Sequence, residues 1–179
     1  MKQTLVVLVE NKPGVLNRVA SLFRRRNFNI DSLTVGRTEN PHVSRMTIVV
    51  EAEEADQVQK HLYKLVNVIQ VEEVSTRPNV SRDLALIKVM ADQDTRGNVM
   101  QICDIFNARI VDATPHTLIV EVTGDDREIS SLVEMLQPIG IAEMVRTGVV
   151  TMTRGEQTLS PNGYRMQHTG ANGHRATVL

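Results

Sequence analysis

The sequence predicts an α+β fold built from two βαββαβ lobes in tandem, and three observations carry that prediction. Hydrophobic periodicity passes twice through the same order of elements: strand, helix, strand, strand, helix, strand. Similar positions recur at a nearly constant spacing, Phe23 with Phe106 and Asp31 with Asp112, separations of 83 (106 − 23) and 81 (112 − 31). A stretch of turn-forming residues, Ser75-Thr76-Arg77-Pro78-Asn79, divides the two passes. The expected division is 1–76 for the first lobe, 77–81 for a linker, 82–155 for the second lobe and 156–179 for a mobile tail. The tail is assigned because the chain beyond Gly155 is rich in Gly, Asn, Thr, Ser and Gln and lacks periodicity.

In the first lobe, Leu5 to Val9 is a strand, apolar at every position. Asn11-Lys12-Pro13-Gly14 is a turn, with Pro13 placed in the first helical turn, where its missing N–H would have had no partner. Val15, Leu16, Val19, Ala20, Leu22 and Phe23 then form a helical stripe. Asn27 or Asn29 ends that helix in a left-handed conformation, after which Ile30 to Val35 resumes as a strand. Asn40-Pro41 is a turn. Ser44, Met46, Ile48 and Val50 alternate with Val43, Arg45, Thr47 and Val49, which predicts a strand with one wetter face. Ala55, Val58, Leu62 and Leu65 mark the second helix, and Val68 to Val74 the fourth strand. A lone sheet with helices on one side would leave its other face wet, yet Leu5 to Val9 is apolar on both faces. Either a partner subunit or the second lobe is therefore expected to cover it.

The second lobe repeats the order with a strand at Leu84 to Met90, a helix carrying Val99, Ile102, Cys103 and Phe106, and a short strand at Arg109 to Asp112. Pro115-His116 makes the turn into a strand at Thr117 to Val122. Ile129, Leu132, Val133 and Leu136 mark the next helix, and Ile141 to Met152 supplies strand residues around Gly148. Each lobe is expected to be an antiparallel four-stranded sheet with two helices on one face, the ferredoxin-like arrangement.

Composition excludes several classes of function. No apolar run approaches the roughly 20 residues that span a bilayer, so no membrane association is expected. Met1-Lys2-Gln3-Thr4 leads straight into a strand pattern without a signal-peptide pattern, so cytoplasmic residence is the expectation. The single cysteine, Cys103, rules out an intrachain disulfide or a CxxC site and falls on an apolar helical stripe, where core packing outweighs nucleophilic work. A net charge of −1, with three Phe, two Tyr and no Trp, gives neither a field nor a stacking platform for nucleic acid. His42, His61, His116, His168 and His174 lack metal-ligand spacing. Arg24-Arg25-Arg26 falls at a helix C-terminus, where the dipole favours cations; a charged docking surface is the sharper alternative.

The Asn11-Lys12-Pro13-Gly14 turn is the candidate binding site. As an isolated match it is a strand-to-helix turn with a good cap. Its context adds chemistry, because the first N–H groups of a helix lack intrahelical partners and the helix dipole is positive there, so a carboxylate is a favourable guest. Gly14 permits close backbone approach, and Asn11 offers an amide donor and an acceptor. Asn29 lies at the other end of the helix and reaches the same ligand only across a symmetric dimer. The corresponding turn of the second lobe is Asp92-Gln93-Asp94-Thr95-Arg96-Gly97, whose carboxylates would repel an anionic ligand and are better explained as caps of a helix beginning near Thr95. That lobe is expected to contact a partner instead.

Taken in order and spacing, ENKPGVLNRVASLF, FNIDSLTVGRTENPHVSRMTI, HLYKLVNVIQV, IFNARIVDATP and EMVRTGVVTMTRG cover about Leu5 to Gly155. They resemble the ACT domain and, beyond it, the small regulatory subunit of acetolactate synthase, also called acetohydroxyacid synthase. The resemblance implies a noncatalytic subunit, homodimeric through its ACT domains, that binds and activates the large catalytic subunit. It also implies feedback inhibition by valine, leucine or isoleucine at the interface between two ACT domains. Asn11, Gly14 and Asn29 match the family's ligand-binding positions, and Lys12, Pro13, Val15, Leu16 and Ile30 complete the candidate set. Thiamine diphosphate, magnesium and FAD are implied for the large subunit and no cofactor for this chain. Two alternatives stand beside it: a free-standing tandem-ACT amino-acid sensor acting on transcription or another enzyme, and a small enzyme of ferredoxin-like fold, disfavoured by the missing nucleophile, base or metal set.

Overall fold

Leu5, Val7 and Val9 point to one side of strand β1 (Lys2–Glu10) and Val6 and Leu8 to the other, yet all five are at most 2 % exposed. The first set packs under two helices. Val15, Val19, Leu22 and Phe23 of α1 (Val15–Arg26) and Ala55, Val58 and Leu62 of α2 (Ala52–Leu62) close over Leu5, Val7 and Val9, with Met46, Ile48 and Val50 of β3 (Val43–Glu51) and Val71 of β4 (Val68–Glu73). With β2 (Ser32–Arg37) at one edge, the sheet runs β2-β3-β1-β4, and every pairing is antiparallel. These statements come from a computed structural model that describes residues 2–156, 158 and 159. The expected mobile tail, with His168 and His174, falls almost wholly outside the described residues.

The second lobe is built alike, from β5 (Asn79–Met90), α3 (Arg96–Ile105), β6 (Arg109–Ala113), β7 (Thr117–Gly124), α4 (Asp126–Leu136) and β8 (Ile141–Arg146), in sheet order β6-β7-β5-β8. Its core joins Ala85, Ile87 and Val89 to Val99, Ile102 and Cys103 of α3 and Ile129, Leu132 and Leu136 of α4. Burial pushes the Cys103 thiol pKa up, away from reactivity. A further strand, β9 (Val150–Thr153), pairs with the first residues of β5, Asn79 to Arg82. Three of the five residues expected as linker are thus strand. Pro78 and the polar run Asn79, Ser81 and Arg82 hid it, because its ladder partner lies about seventy residues away (151 − 81).

The repeat is tighter than the phenylalanines suggested. A register shift falls between Leu8 and Val9 where β1 meets β4, and again between Lys88 and Val89 where β5 meets β8, an offset of 80 (88 − 8). Val19 and Val99, Leu22 and Ile102, and Phe23 and Cys103 keep that offset, all buried. Phe23 therefore corresponds to Cys103, while Phe106 lies just past the end of α3.

The face of β3 expected to be the wetter one is mostly dry: Thr47 is 3 % exposed and Val43 and Val49 are buried, while Arg45 is half-buried. Val6, Leu8, Arg45, Thr47 and Val49, with Ser32 and Thr34 of β2, share the sheet face turned away from the helices, by register. The β8–β9 connection of the second lobe lies across it. Val149 N–H donates to Ser32 Oγ at 3.2 Å, Thr34 Oγ1 to the Thr147 carbonyl at 3.3 Å, and Arg45 to the Thr151 carbonyl. Leu8 and Met152 line one cavity of about 250 Å³. Of the two covers expected from sequence, it is the second lobe of the same chain that is in place. Among the described residues no helix is long and apolar enough to cross a membrane.

Candidate functional site

Helix α1 starts at Val15, two residues later than a helical Pro13 would require. Gly14 is its N-cap, at φ 83°, ψ −7°, and Pro13 belongs to the turn before it. No side chain caps this end among the described residues, and no acid stands in the first turn. A Cβ built on Gly14 meets nothing within 4 Å. The turn therefore presents an uncapped, dipole-positive helix end with open space before it, at a backbone angle that glycine takes readily.

A polar frame holds the turn in place. Asn11 N–H donates to the His42 carbonyl at 2.8 Å, and Asn11 Nδ2 to the Pro41 carbonyl at 2.8 Å, so the amide donor expected for a ligand is used on the β2–β3 turn. Glu10 N–H donates to the Asn67 carbonyl at 2.9 Å, and Asn67 Nδ2 donates to Glu10 Oε2 at 2.6 Å. Arg18 Nη1 donates to Asn67 Oδ1, while Lys12 Nζ lies 3.1 Å from Glu10 Oε2. Glu10, Arg18 and Asn67 escaped the sequence reading. Arg18 was accessible in principle, since it stands one helical turn after Gly14 and its N–H makes the bond to the Gly14 carbonyl; Asn67, 49 residues further on, left no local signal.

Asn11, Lys12, Pro13, Gly14 and Leu16 are exposed, Val15 is buried in the core, and Ile30 is half-buried. Exposed Asn29 lies beyond the other end of α1, which at 12 residues is about 18 Å long. One chain therefore brings Asn11 to Leu16 together but keeps Asn29 and Ile30 apart from them. The left-handed residue that ends α1 is Asn27, at φ 56°, not Asn29.

In the second lobe the same backbone bonds recur with different side chains. Met90 N–H donates to the Gly140 carbonyl and Ala91 N–H to that of His116, where the first lobe has Glu10 with Asn67 and Asn11 with His42. The polar frame is absent from these positions. Asp92 instead accepts from the N–H groups of Asp94 (3.1 Å) and Thr95 (2.9 Å) and from Thr95 Oγ1 (2.8 Å), bracing the turn ahead of α3.

Two family models match the two lobes separately: "AHAS small subunit-like ACT domain" over residues 5–70 and "Small subunit of acetolactate synthase" over residues 82–155. The chain belongs to the acetolactate synthase small-subunit family. The probable acetolactate synthase small subunit of Archaeoglobus fulgidus is 52 % identical over 159 residues, covering 88 % of this chain and 99 % of that protein. The small subunit of Mycobacterium leprae is 53 % identical over 154 residues, covering 85 % and 91 %. In structure, the small subunit of Thermotoga maritima superposes with a TM-score of 0.79 at 37 % identity, covering 88 % of this chain and 99 % of that one. The small-subunit match of residues 82–155 ends at Gly155, two residues past β9, so the strand that covers the first lobe lies inside it.

Proposed function

We propose that this chain is the regulatory subunit of an acetolactate synthase, in which the second lobe binds and activates the large catalytic subunit and two first lobes, paired in a homodimer, bind a branched-chain amino acid that inhibits the enzyme. Membership of the small-subunit family supports the partner. The uncapped α1 N-terminus at Gly14, with open space in front, is the observation that supports the effector site.

The amino acid's carboxylate meets the N–H groups that follow Gly14, where the helix dipole lowers its energy. Arg18, anchored by Asn67, adds positive charge one turn along. Asn29 and Ile30 come from the partner protomer, because within one chain they stand beyond the far end of α1. A ligand bridging two protomers favours one dimer geometry, and that differential affinity is what alters the large subunit. Valine is the leading effector; leucine and isoleucine differ from it by methylene content and placement, a discrimination of about 1 to 3 kcal/mol per methylene. Thiamine diphosphate, magnesium and FAD belong to the large subunit, and the complex is cytoplasmic.

The test uses the reconstituted holoenzyme. Replacing Gly14 by Asp places bulk and negative charge where the ligand carboxylate binds, so valine inhibition is lost while activation by the second lobe survives. Gly14→Ala, strained at φ 83° but uncharged, separates backbone strain from charge and retains part of the response. An unaltered valine inhibition curve for Gly14→Asp sinks the site. Failure of the wild-type chain to bind or activate a thiamine-dependent synthase sinks the function.

A further inference from the structure

The two lobes meet at Gly148, in the connection between β8 and β9. A Cβ there would lie 2.7 Å from Ser32 Oγ and 2.8 Å from Thr34 Oγ1, nearer than carbon and oxygen can sit, and the residue's φ is +85°. Space and backbone conformation each call for glycine. The flanking residues are bonded to the same two hydroxyls, Thr147 through its carbonyl to Thr34 and Val149 through its N–H to Ser32.

On the second-lobe side this corner is fixed by one buried carboxylate. Asp83, 3 % exposed, accepts from Arg146 Nε at 2.7 Å, from Thr147 Oγ1 at 3.0 Å and from the Gly148 N–H at 3.1 Å. Arg146 also reaches Asp126, the first residue of α4, at 2.9 Å. Three consecutive residues of the corner are thus tied to β5, and through Arg146 to a helix of the second core. On the first-lobe side, β2 stands at the edge of its sheet beside β3, and Ser32 follows Asn29 by three residues.

We propose that the contact of Gly148 with Ser32 and Thr34 couples the effector site of the first lobe to the second lobe, with Gly148, Ser32 and Thr34 as positioning residues. The inference rests on the reading that Asn29 and Ile30 contribute to the effector site. A displacement of those residues on binding travels along β2, which begins two residues after Ile30. It bears directly on Gly148, where the half-buried contact with Ser32 and Thr34 leaves no spare room. The corner moves with it and carries Asp83, Arg146 and the start of α4.

The experiment compares Gly148→Ala with wild type in two measurements: calorimetric titration of the chain with valine, and valine inhibition of the holoenzyme relative to each variant's own uninhibited rate. Gly148→Ala is expected to bind valine within about threefold of wild type, while the factor by which saturating valine slows the holoenzyme falls about fivefold or more. Ser32→Ala combined with Thr34→Val deletes both hydroxyls with little change in volume. It is expected to act in the same direction, and it keeps the proposal testable if Gly148→Ala does not fold. Full inhibition at unchanged valine concentrations in a folded variant overturns the coupling. Loss of valine binding itself in the hydroxyl variant also overturns it, since those hydroxyls then serve the ligand. If wild-type chain binds no valine, the effector-site reading fails first and the coupling falls with it.

Discussion

Asn27 and Asn107 stand eighty residues apart (107 − 27) and hold the same left-handed backbone, φ 56° and φ 50°, at the ends of the first helix of each lobe. Each exit is closed alike: Asn27 N–H donates to the Arg24 carbonyl and Phe28 N–H to that of Phe23, as Asn107 does to Asp104 and Ala108 to Cys103. Left-handed backbone costs an ordinary L-residue about 1 to 2 kcal/mol, and asparagine tolerates it better than most. Asn27→Ala and Asn107→Ala are each expected to lower stability by about 1 kcal/mol, whereas the glycine replacements hold or raise it. Urea unfolding of the four variants checks this, and an alanine variant as stable as wild type refutes the cap assignment.

Asn67 joins the chain after α2 to the turn before α1, accepting from Glu10 N–H and Arg18 Nη1 and donating to Glu10 Oε2. At 9 % exposure it has little water to fall back on. Asn67→Ala leaves the Glu10 carboxylate and the Arg18 guanidinium without this partner and is expected to cost about 1 to 3 kcal/mol in denaturant unfolding. It also releases Arg18 from the mouth of the helix, so weaker valine binding is expected with it. Unfolding and calorimetry report the two effects separately, and a variant with wild-type values in both would show that the network positions nothing.

Much of the fold was legible because it rests on local patterns. The stripe of Val15, Val19, Leu22 and Phe23 and the continuous run Leu5 to Val9 follow from burial alone, and the run's second apolar face announced a cover before its identity was visible. Contacts distant in sequence were not legible. Thr47 reads as polar and wet yet is buried, on the sheet face across which the β8–β9 connection, about a hundred residues away, bonds to its neighbour Thr34. Pro78-Asn79 reads as linker because β9 is needed to make the following residues a strand. At the site, Asn11 and Gly14 carry a turn signal, while Glu10, Arg18 and Asn67 act through one another across the fold.

The Asp92 carboxyl is held below its ordinary pKa, first by the Thr95 hydroxyl and then by the backbone N–H groups of Thr95 and Asp94. A pKa lowered by folding means that this carboxylate favours the folded state above its unfolded pKa. The contribution fades as pH falls through the lowered folded value. Thr95→Val removes the hydroxyl and is expected to move the Asp92 pKa upward, towards that of an ordinary aspartate, so the acid-side loss of stability becomes smaller and is complete at a higher pH. Carboxyl-carbon NMR titration of both proteins measures it; an Asp92 midpoint that stays put or moves down refutes the assignment.

The same carboxylate bears on how many amino acids one chain can hold. In the first lobe the helix end behind Gly14 has no capping side chain and lies open. In the second, Asp92 already occupies the N–H groups of Asp94 and Thr95, so a ligand carboxylate would have to displace an intramolecular one while facing the second charge of Asp94. Glu10 and Asn11, which frame the first turn, are answered by Met90 and Ala91, and Asn67 by Gly140. Calorimetric titration with valine is therefore expected to saturate at no more than one amino acid per chain, and Gly14→Asp to remove all the binding heat. A residual transition in Gly14→Asp, abolished in turn by Asp94→Lys, would assign a second site to the second lobe and overturn this account of why the two lobes, alike in backbone, differ in what they bind.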